Sequence, residues 1–430
     1  MIWFFYNLLF GIGFALMLPK FLWRMRRRGG YQSDFMQRLG IYRPEVKSQL
    51  RDGGRIWLHA VSVGEIFVAL QFITTLREQR PDATFVLSTT TSTGYAIGRS
   101  KVKDPDVLIY FPMDFPFIIR RVLNVVRPIA LVLVEAEFWP NLIRGATRRG
   151  IPVFLINGRV SESSYRGYRR LTAFTRRMFP LFRALCVQSA DDAERLKELG
   201  APADRLHVLN SAKYEISGPS EDAVQRAHEV LRQAGFGDDR RILLGGSTWP
   251  GEERVLLEIY KELRQTHTNL ALVLAPRHVE RTPEVLTEIE QQGLSVLRRS
   301  GIQASSGDSD VFLLDTTGEL SSFFPSASVI FIGKSLLADG GQNVIEPAVA
   351  ERAIVVGPNM QNFPVVLQDF LEADALRQVN DADELQRVIV YLLDHEAERS
   401  ELGERAGALV RSKAGGIVAS VDLVVKGLAV

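Results

Sequence analysis

The sequence predicts an α/β protein of two Rossmann-like domains that face a central cleft, preceded by an apolar helix. Its 430 residues are sufficient for two or three domains. Short apolar runs typical of strands alternate with amphipathic stretches, in two series separated by the polar stretch 215–239. Strands that alternate with helices indicate parallel sheets covered by helices, so two series indicate two domains.

Six strands are predicted in each series. In the first they span residues 55–60, 84–88, 106–111, 130–135, 153–156 and 184–188. In the second they span residues 241–245, 270–275, 294–297, 311–314, 329–332 and 353–356. We expect a first domain at 29–213 and a second at 214–430, and leave open whether the last helix packs back on the first domain.

Composition and cysteine count exclude several classes of protein. An apolar fraction of 46% disfavours a disordered chain, and one long apolar run is too few for a polytopic membrane protein. The single cysteine, Cys186, rules out a disulfide scaffold and a cysteine-cluster metal site, and is typical of a reducing compartment. The six histidines have no close ligand spacing, so no metal requirement is predicted.

Positive charge is concentrated in two segments of the chain. The whole chain carries 52 basic and 50 acidic side chains, a net charge of +2. Residues 1–30 contain five basic residues and no acid, and residues 144–183 contain ten arginines and one acid, Glu162. The remainder is therefore acidic, and the two basic segments predict contact with an anionic surface or substrate.

Residues 1–28 are predicted to be an uncleaved membrane anchor. Residues 1–19 have no charged side chain and precede Lys20 and the basic cluster 24–28. That run approaches the roughly 20 residues that cross a bilayer. A secretory signal would have basic residues before the run and small residues after it, and neither is present. The positive-inside rule places the rest of the chain in the cytoplasm, while an interfacial helix and a core helix remain alternatives.

Polar residues follow the ends of the predicted strands, where ligands bind in parallel α/β sheets. After the first strand, Gly64 lets the backbone approach a ligand, and Glu65 falls in the first turn of a helix. A helix N-terminus favours an ionised carboxylate, which suits a general base, although a capping carboxylate is an equal alternative. After the fourth strand, Glu135 and Glu137 should share a face beside the cleft, or pair with the arginine-rich segment.

The strand ends of the second series suit anions. Residues 245–253 follow a strand and open a helix at Pro250, so free backbone N–H groups could receive a phosphate, unless the turn is only capped. Arg277 could hold a phosphate or carboxylate, or form a surface ion pair. Asn343 and Glu346 lie at a predicted helix start and suit either ribose hydroxyls or helix capping.

Arginines and aromatic residues are interleaved between residues 159 and 183. The arginines are Arg159, Arg166, Arg169, Arg170, Arg176, Arg177 and Arg183, and the aromatic residues are Tyr165, Tyr168, Phe174, Phe179 and Phe182. Cationic heads on aromatic bodies suit the depth of lipid headgroups. RNA binding and an ordinary solvated helix face are the alternatives.

Together these motifs resemble the 3-deoxy-D-manno-octulosonic acid (Kdo) transferases of Gram-negative bacteria, along nearly the whole chain. The segments that carry the resemblance are residues 1–28, 59–65, 110–114, 135–141, 157–161, 246–253, 276–278 and 340–348. The resemblance implies a GT-B glycosyltransferase that moves Kdo from CMP-Kdo to a lipid A precursor, lipid IVA, at the cytoplasmic face of the inner membrane. It also implies inversion at the anomeric carbon, without a metal or a cofactor.

The resemblance assigns roles to individual residues. Glu65 matches the general base. Acceptor binding falls to the first domain, at Ser62, Gly64, Glu137, Arg159 and Ser161. Donor binding falls to the second domain, at Gly246, Ser247, Thr248, Arg277, His278, Gly341, Asn343 and Glu346. The expected partners are CMP-Kdo, the lipid A precursor and anionic inner-membrane lipids, with no nucleic acid.

Two departures from the family pattern affect the linker and the donor side. Residues 210–215 are a looser version of a family segment, and Lys334 replaces an expected glycine. Two other functions fit the same architecture: a nucleotide-sugar epimerase or hydrolase, and a membrane-tethered nucleotide-sugar binder. The former gives no role to the anchor or to the arginine-rich segment.

Overall fold

The computed structural model describes residues 2–28, 34–216, 218–237, 239–302 and 309–428, without the side chains of residues 20–22 and 24–28. The predicted basic cluster at 24–28 therefore lies outside the described side chains. The chain forms two compact units. Unit 1 comprises Met1–Glu215 with Ala414–Val430, and unit 2 comprises Ile216–Lys413.

Unit 1 is built on a parallel sheet whose order, within the described residues, is β3-β2-β1-β4-β5-β6-β7. The strands are β1 (Ile56–His59), β2 (Phe85–Thr89), β3 (Val107–Tyr110), β4 (Ala130–Val134), β5 (Val153–Gly158), β6 (Ala184–Val187) and β7 (Leu206–Val208). The helices are α1 (Ile2–Arg28), α2 (Pro44–Gln49), α3 (Val63–Gln79), α4 (Ser92–Lys101), α5 (Pro116–Val126), α6 (Pro140–Thr147), α7 (Glu162–Arg169), α8 (Thr172–Met178) and α9 (Ala190–Glu198). Because β1 lies between β2 and β4, the chain reverses its direction across the sheet there, which is where such sheets bind ligands.

The core of unit 1 lies on both faces of this sheet. Along β1, Trp57 packs in the cluster on one face, while Ile56 and Leu58 pack in the cluster on the other. This alternation is the pleat of a strand, and apolar side chains on both faces are typical of a parallel sheet covered by helices. The packing fixes the carboxyl ends of the strands at one edge.

Unit 2 repeats this architecture with the sheet order β10-β11-β9-β8-β12-β13-β14 over the described residues. Its strands are β8 (Arg241–Thr248), β9 (Leu270–Pro276), β10 (Val296–Arg298), β11 (Val311–Leu313), β12 (Val329–Ile332), β13 (Ala353–Val356) and β14 (Arg377–Gln378). Its helices are α10 (Glu221–Gln233), α11 (Glu252–Leu263), α12 (Thr282–Gln291), α13 (Leu320–Phe323), α14 (Ile345–Val349), α15 (Pro364–Glu372), α16 (Ala382–Asp394) and α17 (Glu396–Lys413). The reversal point is β8, between β9 and β12.

The last helix, α18 (Gly416–Leu428), belongs to unit 1. It packs against α3 and β5, and Ile417, Val421 and Val424 are part of the buried cluster there. A Cβ atom at Gly427 would lie 2.5 Å from the Phe154 ring. Only glycine therefore allows this close approach of helix and strand.

Helix α1 has 27 residues. Among the described residues, Ile2–Pro19 is the one stretch long and apolar enough to cross a membrane, judged by length and composition. The rings of Trp3, Tyr6, Phe10 and Phe14, among its described side chains, pack on other residues of unit 1.

The structure corrects the predicted element bounds at several places. Strand β8 continues to Thr248 through an irregularity between Gly246 and Thr248, so it ends three residues later than predicted. The predicted helix start at Pro250 was wrong, because α11 begins at Glu252 after Gly251, whose φ is 89°. Strands β7 and β14 were not predicted, since both are short edge strands with partly exposed side chains.

Candidate functional site

The carboxyl end of β1 leads directly into a capped helix. The Ser62 hydroxyl accepts a hydrogen bond from the Glu65 N–H at 3.3 Å, and the Glu65 carboxylate accepts from the Ser62 N–H at 3.2 Å and the Val61 N–H at 2.8 Å. Glu65 is therefore a capping residue and is only 7% exposed. A carboxylate has about four lone-pair sites, so these two bonds leave capacity for a proton or a substrate hydroxyl.

Glu135 faces the same edge from the end of β4. Burial and the negative charge of Glu65 together raise the pKa of Glu135 to about 7, while Lys213 and Arg159 act in the opposite direction. Burial likewise lowers the pKa of Lys213, helped by Arg159. The charges of Glu65, Arg159 and Lys213 thus all act on Glu135, which places the four groups near one another in unit 1.

The expectation that Glu135 and Glu137 share a strand face was wrong. Strand β4 ends at Val134, and Glu135 takes a left-handed conformation with φ of 60°, so strand alternation no longer applies. Glu137 instead accepts a hydrogen bond from the Trp139 indole at 2.7 Å and lies 3.7 Å from the His59 imidazole. Its hydrogen bond and its close ionisable neighbour therefore come from aromatic residues.

His59 is a buried residue that the sequence did not single out as functional. Its ring stacks on Phe111 with centroids 3.7 Å apart, and Nδ1 lies 3.1 Å from the Ser88 carbonyl oxygen. Nδ1 is also 3.1 Å from the Ser88 hydroxyl, and Nε2 is the atom that faces Glu137. The signal available was the position of His59 at the last residue of β1.

The other predicted acceptor residues lie on the same side of the sheet. Arg159 directly follows β5 and is exposed. Ser161 caps α7 by accepting from the Ser164 N–H at 3.2 Å. Gly64 is exposed, and a Cβ atom there would meet nothing closer than the Ser62 hydroxyl at 3.9 Å. The open side of Gly64 is compatible with a ligand close to the backbone.

In unit 2, the end of β8 is fixed by two buried carboxylates that the sequence did not single out. Glu252 accepts hydrogen bonds from the backbone N–H groups of Trp249, Lys334, Ser335 and Leu336 at 2.7–3.1 Å. Burial raises the pKa of Glu252, and these N–H groups oppose that rise. The Trp249 N–H already donates to Glu252. It is therefore not one of the backbone groups of residues 245–253 that could receive a phosphate.

The second carboxylate, Glu253, holds Thr248. The Thr248 hydroxyl donates to Glu253 at 2.8 Å, and Arg281 pairs with the same carboxylate at 2.8 and 3.2 Å. Both Thr248 and Glu253 are fully buried. The hydroxyl of Thr248 is thus engaged within the protein, while Ser247, with φ of 53°, remains partly exposed at the strand end.

Cationic and aromatic groups surround this strand end. Arg277 follows β9, its N–H donates to the Thr248 carbonyl at 3.0 Å, and its side chain is exposed. The His278 ring packs edge-on against Trp249, and Lys334 Nζ lies 4.8 Å above the same indole. Among the described residues the Arg277 side chain has no ion-pair partner.

The segment before α14 forms a tight turn. Gly341 has φ of 69°, and a Cβ atom there would lie 2.3 Å from the Met360 sulfur, so glycine is required. Asn343 accepts from the Ile345 N–H at 3.0 Å and donates to Glu346 at 3.2 Å. Asn343 therefore caps the turn, and Glu346 is fixed in the first turn of α14.

Comparison with known proteins identifies the family. Residues 33–216 match the family described as 3-Deoxy-D-manno-octulosonic-acid transferase (kdotransferase). A 3-deoxy-D-manno-octulosonic acid transferase of Haemophilus influenzae is 30% identical over 369 residues, which cover 86% of this chain and 86% of that protein. One of Bordetella pertussis is 30% identical over 423 residues, which cover 95% of this chain and 96% of that protein. The chain belongs to the Kdo transferase family.

A solved structure supports the fold of this Kdo transferase. UDP-GlcNAc 2-epimerase from Neisseria meningitidis, bound to UDP-GlcNAc, superposes with a TM-score of 0.57 at 13% identity, covering 86% of this chain and 100% of that one. At this identity the likeness concerns the fold alone. The predicted GT-B class and the predicted family are both confirmed, and the chain is a glycosyltransferase.

The Kdo transferase presents its predicted residues at the carboxyl edge of each sheet. In unit 1 that edge brings together Glu65, Glu135, Arg159 and Lys213. Within the part of the chain that the structure describes, no group of three or more His, Cys, Asp or Glu side chains is placed to hold a metal ion. The roles of the individual residues remain predictions.

Proposed function

We propose that this Kdo transferase moves Kdo from CMP-Kdo to a lipid A precursor, lipid IVA, with Glu65 as the general base. The observation that carries this proposal is the position of the Glu65 carboxylate at the reversal point of the unit 1 sheet. There it is held by two backbone N–H groups and is close enough to Glu135 to raise its pKa. A base needs such a fixed position and a free lone pair.

The reaction is a single displacement with inversion. The acceptor hydroxyl oxygen forms a bond to the anomeric carbon of Kdo, and the bond from that carbon to the phosphate oxygen breaks. The hydroxyl proton passes to Glu65, and CMP leaves with the bonding electron pair. No metal or cofactor is needed in this scheme, because the leaving group is already an anion that cationic side chains can stabilise.

Acceptor binding is proposed for unit 1. Ser62 and Gly64 lie beside the base, and the exposed Arg159 can pair with an acidic group of the acceptor. Glu137 is oriented by the Trp139 indole N–H, so its remaining lone pairs can accept from sugar hydroxyls. Ser161 starts the helix that carries the first arginines of the basic segment.

Donor binding is proposed for unit 2, at Gly246, Ser247, Thr248, Arg277, His278, Gly341, Asn343 and Glu346. CMP-Kdo carries a phosphate and a carboxylate, and Arg277 and Lys334 are cations beside the β8 end. Thr248 acts through its backbone, since its hydroxyl binds Glu253. Glu346 is positioned at a helix start, where it can accept from ribose hydroxyls.

The proposed location is the cytoplasmic face of the inner membrane, bound through α1. The apolar stretch Ile2–Pro19 and the basic residues that follow it support this orientation. The exposed arginines of α7 and α8 suit anionic lipids and the phosphates of the acceptor. The proposed partners are therefore CMP-Kdo, the lipid A precursor and anionic inner-membrane lipids.

The direct test is incubation of the protein with CMP-Kdo and tetra-acylated lipid A precursor, followed by mass spectrometry of the lipid. A mass increase of one or more Kdo units is expected. Release of free Kdo without lipid modification would favour a hydrolase. An unchanged lipid together with CMP binding would favour a nucleotide-sugar binder.

A further inference from the structure

Helix α1 lies along unit 1 and contacts it on one side. The Trp3 and Tyr6 rings pack on Phe174 at centroid distances of 5.2 and 5.3 Å, and the Phe10 and Phe14 rings pack on Phe115 at 5.1 and 5.3 Å. These four residues recur at helical spacing, so they form one face of α1. The first half of the helix is therefore packed against the domain.

Polar contacts fix the same face. The Tyr6 hydroxyl donates to Asp114 at 3.0 Å, and the Asn141 amide donates to the Asn7 side chain at 2.7 Å. Asp114 is fully buried and also accepts from the backbone N–H groups of Asn141 and Leu142. Tyr6 and Asn7 thus find hydrogen-bond partners within the protein. Hydrocarbon would offer these polar side chains none.

The opposite face of α1 is apolar and exposed. Phe4 is 67% exposed and Leu16 is 77% exposed, with Leu8 and Ile12 also largely accessible. A helix that packs on a folded domain with one face and presents bulky apolar residues on the other is suited to lie at a lipid surface. The domain is thereby held next to the lipid.

An apolar groove of about 440 Å³ runs between α1 and the helices α6 to α8. Leu9 and Phe10 line it from α1, and Trp139, Leu171, Phe174 and Met178 line it from the domain. The volume is within the range of roughly 300 to 1,000 Å³ that ligand sites have. Its lining is nearly free of polar groups, so it suits a hydrocarbon chain.

Two lining residues relate the groove to neighbouring parts of unit 1. Trp139 donates its indole N–H to Glu137 at 2.7 Å. Leu171 is 56% exposed and follows Arg169 and Arg170, which are also exposed. Cations beside Leu171 complement the phosphate groups of a lipid whose chain enters the groove.

We propose that this groove binds one acyl chain of the lipid acceptor. This inference rests on the proposed function, because only a lipid acceptor places a chain and a reacting sugar hydroxyl in one molecule. A chain seated beside Trp139 would hold the attached sugar next to Glu137 and the β1 end of unit 1. The groove would then select acylated acceptors and orient them before transfer.

The test is photolabelling of the full-length protein in phosphatidylethanolamine–phosphatidylglycerol vesicles, without CMP-Kdo. The probe is a phosphorylated glucosamine disaccharide with one diazirine-bearing acyl chain, and adducts are mapped by mass spectrometry. Adducts are expected on Leu171, Phe174 and Met178. Labelling restricted to Phe4, Leu8 and Leu16 on the exposed face of α1 would overturn the proposal.

Matched variants and competitors make the test specific. Leu171→Glu should reduce groove labelling about tenfold or more, whereas Leu337→Glu should not, although both leucines are 56% exposed. Leu171→Trp, which keeps the surface apolar, should reduce labelling by filling the mouth. Unlabelled lipid A precursor should compete, and equal competition by added phosphatidylglycerol would identify a bulk lipid chain as the occupant and overturn the proposal.

A chain-length series separates this proposal from the proposed function. Binding of mono-acylated disaccharides should strengthen about fourfold for each added methylene until the groove is full. Affinity that does not depend on chain length would overturn the groove. Labelling that depends on chain length, without any Kdo transfer, would support the groove and contradict the proposed function. Kdo transfer together with full labelling of both Leu171 variants would support the function and contradict the groove.

Discussion

His59 Nε2 lies 3.7 Å from a carboxylate oxygen of Glu137. The imidazole is fully buried, and Nδ1 is engaged by Ser88, so its remaining nitrogen is directed at the acid. The indole of Trp139 holds the other side of that acid. Glu137 is thus held by the Trp139 indole and lies beside the His59 imidazole.

His59 is predicted to position Glu137. His59→Gln should lower kcat/KM for the acceptor about tenfold, because Glu137 loses the buried ring that packs 3.7 Å from its carboxylate, while KM for CMP-Kdo stays unchanged. Glu137→Gln should show a similar loss, and the double variant should lose little more. Steady-state kinetics on the three variants measures this, and strictly additive losses would contradict the coupling.

Glu135 should give both activity and stability a pH dependence. Its pKa is raised to about 7, so the stability it contributes is fully present below its unfolded value near 4.5 and is lost as pH rises through 7. Glu135→Gln should therefore be more stable than wild type at pH 8 and similar at pH 5. Urea unfolding at both pH values measures the difference in the free energy of unfolding. This difference can grow by at most about 1.4 kcal/mol for each pH unit between the two pKa values.

The same substitution should change the activity profile. An ionisation near pH 7 in kcat/KM of the wild type is expected to disappear in Glu135→Gln, since Glu135 lies within electrostatic reach of the proposed base Glu65. A profile that keeps this ionisation in the variant would assign it to another group.

Two neighbouring arginines of unit 2 should behave oppositely. Arg281→Ala leaves the buried Glu253 without its cation and should destabilise unit 2 by about 3 to 5 kcal/mol. Arg277→Ala should change stability by less than about 0.5 kcal/mol, because its side chain is exposed, yet weaken CMP binding. Thermal unfolding and calorimetric titration with CMP measure the two effects, and equal loss of stability in both variants would contradict these assignments.

The arginines of α7 and of its C-terminal cap should attract the protein to anionic lipid. Replacing Arg166, Arg169 and Arg170 by glutamine should weaken binding to phosphatidylglycerol vesicles by up to about 100-fold at low salt. The difference should shrink at high salt, because exposed charges are screened. The matched control replaces Arg226, Arg232 and Arg387, which are exposed on unit 2. Equal losses in both triple variants would point to net charge alone.

Apolar runs predicted the strands well, because a buried parallel strand must be apolar on both faces. Thus β1, β4 and β12 lie within one residue of their predicted bounds. The edge strands β7 and β14 were not predicted, because their residues are partly exposed and need not form an apolar run. Strand β8 was predicted too short because Gly246 and Ser247 read as a turn.

The contacts of the site were less predictable than its position. The capping pattern of Ser62 and Glu65 is local, and a capping carboxylate is one of the two alternatives that the sequence predicts for Glu65. By contrast, Arg281 pairs with Glu253 across 28 positions, and Tyr6 bonds Asp114 across 108, with no local pattern for either. Glu135 turned away from its strand direction by adopting a left-handed conformation that the sequence did not signal.

The central claim, that the Glu65 carboxylate accepts the proton of the acceptor hydroxyl, is tested most directly by Glu65→Gln. Glutamine can still cap α3, so the fold and CMP affinity should be retained. Kdo transfer, measured by mass spectrometry of the lipid, should fall by about 10² to 10⁴-fold. Transfer at the wild-type rate in a folded, CMP-binding variant would contradict the account.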